Sequence, residues 1–168
     1  LQGFRTYGIS ARTNTRLTGG SAYLETANTT SEASGFGGEW DLQDNYAQAS
    51  GVSTGLISYM FKRATGFMDV VAYSGNGTAG ATQAHNLGVV PELMIVKCRD
   101  NSSTSGAYSW WVYSSAINQT LVLNETNAGS SGNNVVWNNT APSATEFTLG
   151  SYTGVNQATK TYIAYLFA

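Results

Sequence analysis

Leu56-Ile57-Ser58-Tyr59-Met60-Phe61-Lys62 and Tyr162-Ile163-Ala164-Tyr165-Leu166-Phe167-Ala168 are one apolar ribbon written twice. Each mixes aromatic and branched residues, with a small residue (Ser58, Ala164) at the same place. A run of this length is too short for an ordinary helix and suits a strand buried on both faces. Such a strand needs other strands over it. The ribbons therefore predict a central strand of an all-β, antiparallel β-sandwich or jelly-roll-like fold, present about one and a half times.

Working outward, the flanking sequence breaks into short apolar stretches separated by turn residues. Ala22–Glu25, Glu39–Leu42, Phe67–Tyr73, Thr82–Leu87, Glu92–Lys97, Trp110–Tyr113, Thr120–Leu123, Val135–Trp137 and Glu146–Leu149 read as strands. Before them, Phe4 and Tyr7 do not alternate strictly, which predicts a short or bulged strand. Ser74-Gly75-Asn76-Gly77 reads as a hairpin turn of the I′ type, returning through Thr82–Leu87. Gly88-Val89-Val90-Pro91 interrupts pairing, because proline donates nothing to a ladder. Ala141-Pro142-Ser143 is a turn, Tyr152–Lys160 a loop, and no segment reads as a helix.

The likeness extends beyond the ribbons. Tyr23-Leu24 followed by Asn28 aligns with Val122-Leu123 followed by Asn127, and Glu39–Leu42 aligns with Glu146–Leu149. The first copy has no counterpart of Phe67–Arg99. The expected organisation is a partial, divergent repeat over 1–62, a half-sandwich, and a complete β-sandwich repeat over 63–168. The junction lies at Arg63-Ala64-Thr65-Gly66. The open side of the half-sandwich is expected to be covered by residues 63–168, by a neighbouring subunit or by an upstream segment.

Composition narrows the function. Only 11% of the 168 residues are charged, less than half of the ~25% usual for soluble domains. At net charge −2, repulsion between surfaces is weak, which favours contact over separation. Eight basic residues in an acidic chain leave no electrostatic footprint for nucleic acid. No apolar run approaches the ~20 residues of a bilayer-spanning helix, and no signal-peptide pattern opens the chain. Beginning at Leu1, it reads as a processed or partial chain. Cys98 is the only cysteine, which excludes an intrachain disulfide and a thiolate cluster. The Asn-X-Ser/Thr triplets at Asn28, Asn76, Asn101, Asn118, Asn124 and Asn138 are what so Asn- and Thr-rich a chain yields by chance.

Gly66–Val71, His85-Asn86-Leu87-Gly88-Val89-Val90-Pro91-Glu92-Leu93-Met94-Ile95-Val96-Lys97, Trp137–Pro142 and Tyr162–Phe167 resemble a repeat domain of virion structural proteins of marine tailed bacteriophages, especially cyanophages. Leu1–Arg63 is similar to the later part of a preceding, divergent copy. The HNLG…PELMIVK block is the specific part. The resemblance implies a fibre, tail-appendage or capsid-decoration module on the virion surface, without catalytic residues or cofactor. Its partners would be other virion proteins and copies of itself, with no nucleic acid and no membrane insertion.

Few residues offer reactive chemistry. His85 is the only histidine, so no site with two imidazoles exists. It is a turn cap before Pro91 or a weak ligand candidate. No Gly-x-Ser-x-Gly elbow marks a nucleophile. Asp41 and Asp44 lack the acidic density of a calcium loop. Glu39 and Glu146, being repeat-equivalent, fit a shared strand-edge role better than a glycosidase pair. Gly75-Asn76-Gly77 lacks the Lys-Ser/Thr of a phosphate loop.

Tyr108, Trp110, Trp111 and Tyr113 remain as the candidate ligand or partner contacts. On a strand Trp110 and Trp111 face opposite sides. Exposed aromatics anchor protein interfaces and also stack on sugars. The expected function is a non-enzymatic virion structural module, with a receptor- or glycan-binding module as the alternative; a polysaccharide depolymerase has the least support.

Overall fold

A computed structural model describes residues 2–7, 10–15, 17, 22–34, 57–100, 109–117, 119–126, 128–129 and 133–168. Its strands are β1 (Gln2–Tyr7), β2 (Ser10–Thr15), β3 (Leu24–Glu25), β4 (Ile57–Phe61), β5 (Met68–Ser74), β6 (Ala81–Ala84), β7 (Leu93–Cys98), β8 (Trp110–Ser114), β9 (Gln119–Val122), β10 (Glu146–Leu149) and β11 (Thr161–Phe167). Two single-turn helices, α1 (Asn133–Val136) and α2 (Thr153–Asn156), complete the set. All pairing between strands is antiparallel. The antiparallel β-sandwich expected from sequence is the observed class.

β11, the closing ribbon, is the middle of the molecule. In the five-stranded sheet β5-β11-β7-β8-β9 it pairs with β5 on one edge and β7 on the other. Tyr162 through Leu166 are all buried. Alternation sends Tyr162, Ala164 and Leu166 into one core, with Tyr73, Met94, Val96, Cys98 and Tyr113. Ile163 and Tyr165 enter a second core, with Met68, Val70, Trp110 and Leu24. Strands buried on both faces lose alternation, which is why this one reads as a continuous apolar run.

The first core is closed by β6 paired with β10, by the two helices and by Leu87. These contribute Phe147, Leu149, Val136, Trp137 and Val155. The second core is closed by Leu24 of β3, Phe61 of β4 and Thr13 of β2, from the four-stranded sheet β3-β2-β1-β4, and by the segment after β3. Thr13 of β2 donates to the Tyr165 hydroxyl (3.4 Å), and the Trp110 indole N–H donates to the Glu25 carbonyl (2.9 Å). Residues on both sides of the 62/63 junction thus share one core.

Several local expectations change. Among the described residues the first ribbon has one neighbouring strand, not two: β4 ends its sheet and pairs only with β1. β1 and β2 form regular six-residue ladders and are not bulged. Residues 82–87 do not return alongside β5: β6 pairs with β10, so residues 75–80 carry the chain from one layer to the other. Asn76 lacks the positive φ that a I′ turn requires, and only Gly77 (φ +75°) and Gly80 (φ +86°) have it there. The Val135–Trp137 strand is replaced by α1 running into Trp137, and the 152–160 loop contains α2. In both places short apolar runs fill a corner of the core as one helical turn, which periodicity does not separate from a short strand. Glu39–Leu42 lies outside the described residues.

The two halves share a strand order. β1, β2 and β3 form a meander whose first strand also pairs with the ribbon β4; β7, β8 and β9 form one whose first strand also pairs with the ribbon β11. Phe4 lies between Thr13 and Tyr59 as Ile95 lies between Val112 and Tyr165. In this register β1 takes the place of β7, inside the span expected to lack a counterpart. Leu24, opposite Thr13, takes the place of Leu121, opposite Val112. That is two residues from the alignment with Leu123.

Tyr165 packs in the second core with residues from both halves, Leu24 and Phe61 among them. Tyr165→Ala is expected to cost about 3–5 kcal/mol, as large aromatic truncations in cores do. Urea unfolding of parent and variant measures it, and a loss below about 1 kcal/mol would mean that the second core is not closed as described.

Candidate functional site

β8 divides the aromatic cluster between opposite faces. Trp110 is 1% exposed. Its ring stacks on Tyr165 (centroids 6.3 Å apart, 25° between planes), and its main-chain N–H donates to Asn124 Oδ1 (2.8 Å). Tyr113 is also buried, edge-on to Trp137 at 6.0 Å. Neither ring has a face left for a sugar or a partner. Tyr108 lies outside the described residues.

Trp111 is half-buried and meets Tyr152 edge to face, with centroids 4.7 Å apart. Gly154 makes this contact fit, since a Cβ there would run into the Trp111 indole and the Tyr152 ring. Burial, and then the carboxylate of Glu125, push the Tyr152 hydroxyl pKa up. Trp111, Tyr152 and exposed Glu125 thus form one aromatic, weakly acidic patch. No sequence feature marks Tyr152 as a site residue. It sits in a polar stretch, and only the folding of α2 brings it to β8.

His85 is buried, with both ring nitrogens engaged. Nδ1 accepts from the Leu87 N–H (3.2 Å), and Nε2 lies 3.2 Å from the Ser143 carbonyl. Those contacts fit the Nε2–H tautomer. The ring also lies against Phe147, 6.5 Å between centroids. Glu146 is exposed, with its main chain in the Ser143 turn, and Asp41 and Asp44 lie outside the described residues. Among the described residues, no three His, Cys, Asp or Glu side chains gather as a metal site.

A second surface lies at the end of the molecule where β4 passes into β5. Phe67 is 48% exposed, Val89 39% and Val90 51%. The Gly66 N–H donates to the Leu87 carbonyl (2.7 Å) and the Ala168 N–H to the Phe67 carbonyl (3.2 Å), which tie these segments and the last residue together. Half-buried Phe61 lies 6.3 Å from both Phe67 and Phe167. Asp69 clamps the link. It accepts from Arg63 Nε, from the Val70 N–H (2.8 Å) and from the Asn86 N–H (2.7 Å). Burial pushes the Asp69 carboxyl up, but these three donors outweigh it and hold the pKa below the usual value.

Between the first sheet and the central one lie two cations. Arg99 makes a two-pronged bond to Glu32 (2.8 and 3.0 Å). Lys97 is buried beside the Trp110 ring (5.9 Å), with Nζ 3.4 Å from the Thr29 carbonyl. Burial pushes its ammonium pKa down to about 8, against a smaller opposing effect of Cys98.

These features define a charge-poor β-sandwich module with an aromatic patch on one sheet and an apolar end. Residues 11–168 match the model of a family described as a domain of unknown function (DUF7483), and the chain belongs to that family. No curated protein and no solved structure matches it.

The Lys97 shift gives a signed prediction. Between about pH 8 and 10.4 the unfolded lysine is protonated while the native one is neutral, so its contribution to stability rises with pH. Cys98, whose pKa burial raises, works the other way above about pH 8.5, and the buried tyrosines do so above about pH 10. The Lys97→Met variant keeps those groups. The parent is therefore expected to gain stability relative to Lys97→Met as pH rises from about 7.5 to about 9.5. Thermal unfolding of both across that range measures the gain, and parallel curves would contradict it.

Proposed function

We propose that this chain is a non-enzymatic structural module of a phage virion (a fibre, tail appendage or capsid decoration) acting through protein–protein assembly with other virion proteins and with copies of itself. The apolar end carries the reading: Phe67, Val89 and Val90 face solvent on a chain with few charges to keep surfaces apart. The shared strand order of β1–β4 and of β7–β9 with β11 supports a repeated unit, as in long appendage proteins. The resemblance of the HNLG…PELMIVK block to repeats of tailed-phage proteins points the same way.

Light scattering and sedimentation over a concentration series test this. The parent is expected to self-associate, and the double variant Phe67→Asp, Val90→Asp to remain folded and sediment as a monomer. A parent that stays monomeric throughout and fails to bind purified particles would remove the reading.

A receptor- or glycan-binding module is the second reading, and the Trp111–Tyr152 pair favours it, because it holds two half-buried rings beside the Glu125 carboxylate. On a glycan array it predicts binding that Trp111→Ala abolishes while self-association persists. An array without signal would leave assembly alone.

A further inference from the structure

Asn76-Gly77, in the loop joining β5 to β6, is the chain's one Asn-Gly dipeptide. Such a pair carries its own chemistry. The glycine nitrogen, once deprotonated, attacks the asparagine side-chain carbonyl carbon; ammonia leaves and a five-membered succinimide forms. Water then opens the ring to aspartate or isoaspartate. Glycine favours the reaction because no Cβ shields its nitrogen, and that same lack lets Gly77 take φ +75° here. Asn76 and Gly77 are both exposed, so water is at hand.

The attacking nitrogen is nevertheless occupied: the Gly77 N–H donates to the Asn156 main-chain carbonyl (2.7 Å). Asn76 Oδ1 accepts from the Thr78 N–H (2.9 Å), which fixes the rotation of the side-chain amide. The Asn76 N–H donates to Asn156 Oδ1 (2.9 Å), fixing the residue from the other side. Asn156 is wholly buried and is itself held, its Nδ2 donating to the Thr78 and Gly150 carbonyls (2.9 Å each). A Cβ on Gly75 would run into the Gln157 carbonyl, so the loop lies directly on the segment that follows α2.

We infer that Asn76-Gly77 is a latent succinimide-forming site held closed by its hydrogen bonds to Asn156, so that the chain is modified there only when the 75–80 loop opens. Reaction is limited by release of the Gly77 N–H, not by access of water. The product adds one negative charge at Asn76. In its isoaspartyl form it also inserts an extra carbon into the backbone, after which the bonds to Asn156 no longer close in register. The site is independent of the assembly and glycan readings.

The test follows conversion at Asn76 in mildly alkaline buffer by peptide mapping with isoaspartyl detection. Parent protein, native and in urea, is compared with Asn156→Ala. Conversion in urea is expected to exceed the native rate by at least about tenfold, the signature of a protected local structure, and folded Asn156→Ala to convert faster than native parent. Equal rates for native and unfolded parent would overturn the inference. So would folded Asn156→Ala, which keeps the main-chain carbonyl and loses the side chain that seats the loop, if its Gly77 amide exchanges faster than the parent's while Asn76 converts no faster. If Asn156→Ala does not fold, amide exchange of Gly77 in the parent decides: protection supports the closed site, and exchange at the rate of a free peptide refutes it.

Discussion

Five consecutive residues without solvent exposure, Tyr162 to Leu166, impose the constraint on which the molecule is built. A strand can satisfy its backbone through two neighbours, and β5 and β7 do that for β11. Its side chains then point both ways, and each face needs a cover. One cover comes from the chain that follows β5, as β6, β10 and the two helical turns. The other comes from the chain that precedes it, as β3, Phe61 and the segment around Glu25 to Glu32. The N-terminal layer is thus part of the folding problem of the C-terminal strand, and Leu24 and Tyr165 belong to one core.

Aromatic residues supply most of that bulk, and their polar ends dictate where the irregular chain must lie. A buried hydroxyl without a partner is costly, so each tyrosine needs an acceptor at the rim of its core. Tyr73 donates to the Val155 carbonyl (2.8 Å) and Tyr162 to the Thr153 carbonyl (2.6 Å), both in α2; Tyr162 also accepts the Gln157 N–H. The short helix is tied to the sheet by tyrosines as well as by the apolar contact of Val155. This answers why a single turn of Thr, Gly, Val and Asn holds a helical conformation although it is far too short to be stable alone. The same economy governs the other interlayer, where Trp110 finds Glu25, Lys97 finds Thr29 and Arg99 finds Glu32.

The doubly buried strand was legible because Tyr162–Phe167 has no polar position to betray a solvent face. Trp110 and Trp111 were separable for the opposite reason: period two forces adjacent residues apart whatever surrounds them. What was not legible depends on pairings between distant segments. Leu56–Lys62 carries nearly the same residues as the closing ribbon, yet its described strand, Ile57–Phe61, lies at the end of its described sheet, because composition says that a strand is apolar and not how many neighbours it has. Residues 82–87 look like the second arm of a hairpin until Asn156, eighty residues after Asn76, draws the turn onto another segment. Val135-Val136 fits a strand by propensity, and tertiary packing overrides that weak preference. Tyr152 has no signature in the sequence, since its importance comes only from Trp111 and Gly154.

The exposed apolar end has its own physical logic. Hydrophobic side chains left outside by loose packing sit on backbone that is free to collapse inward. Here the main chain around Phe67 is bonded on every side. The Phe67 and Met68 N–H groups donate to the Ala64 carbonyl, the Ala168 N–H donates to the Phe67 carbonyl, and the Gly66 N–H donates to the Leu87 carbonyl. Asp69, anchored by Arg63 and by the Asn86 N–H, fixes the start of β5 against the same loop. With those bonds in place Phe67 cannot turn inward without breaking a ladder that begins at its neighbour Met68, opposite Phe167. An apolar group presented on a locked backbone has already lost much of the conformational freedom that any association would otherwise remove.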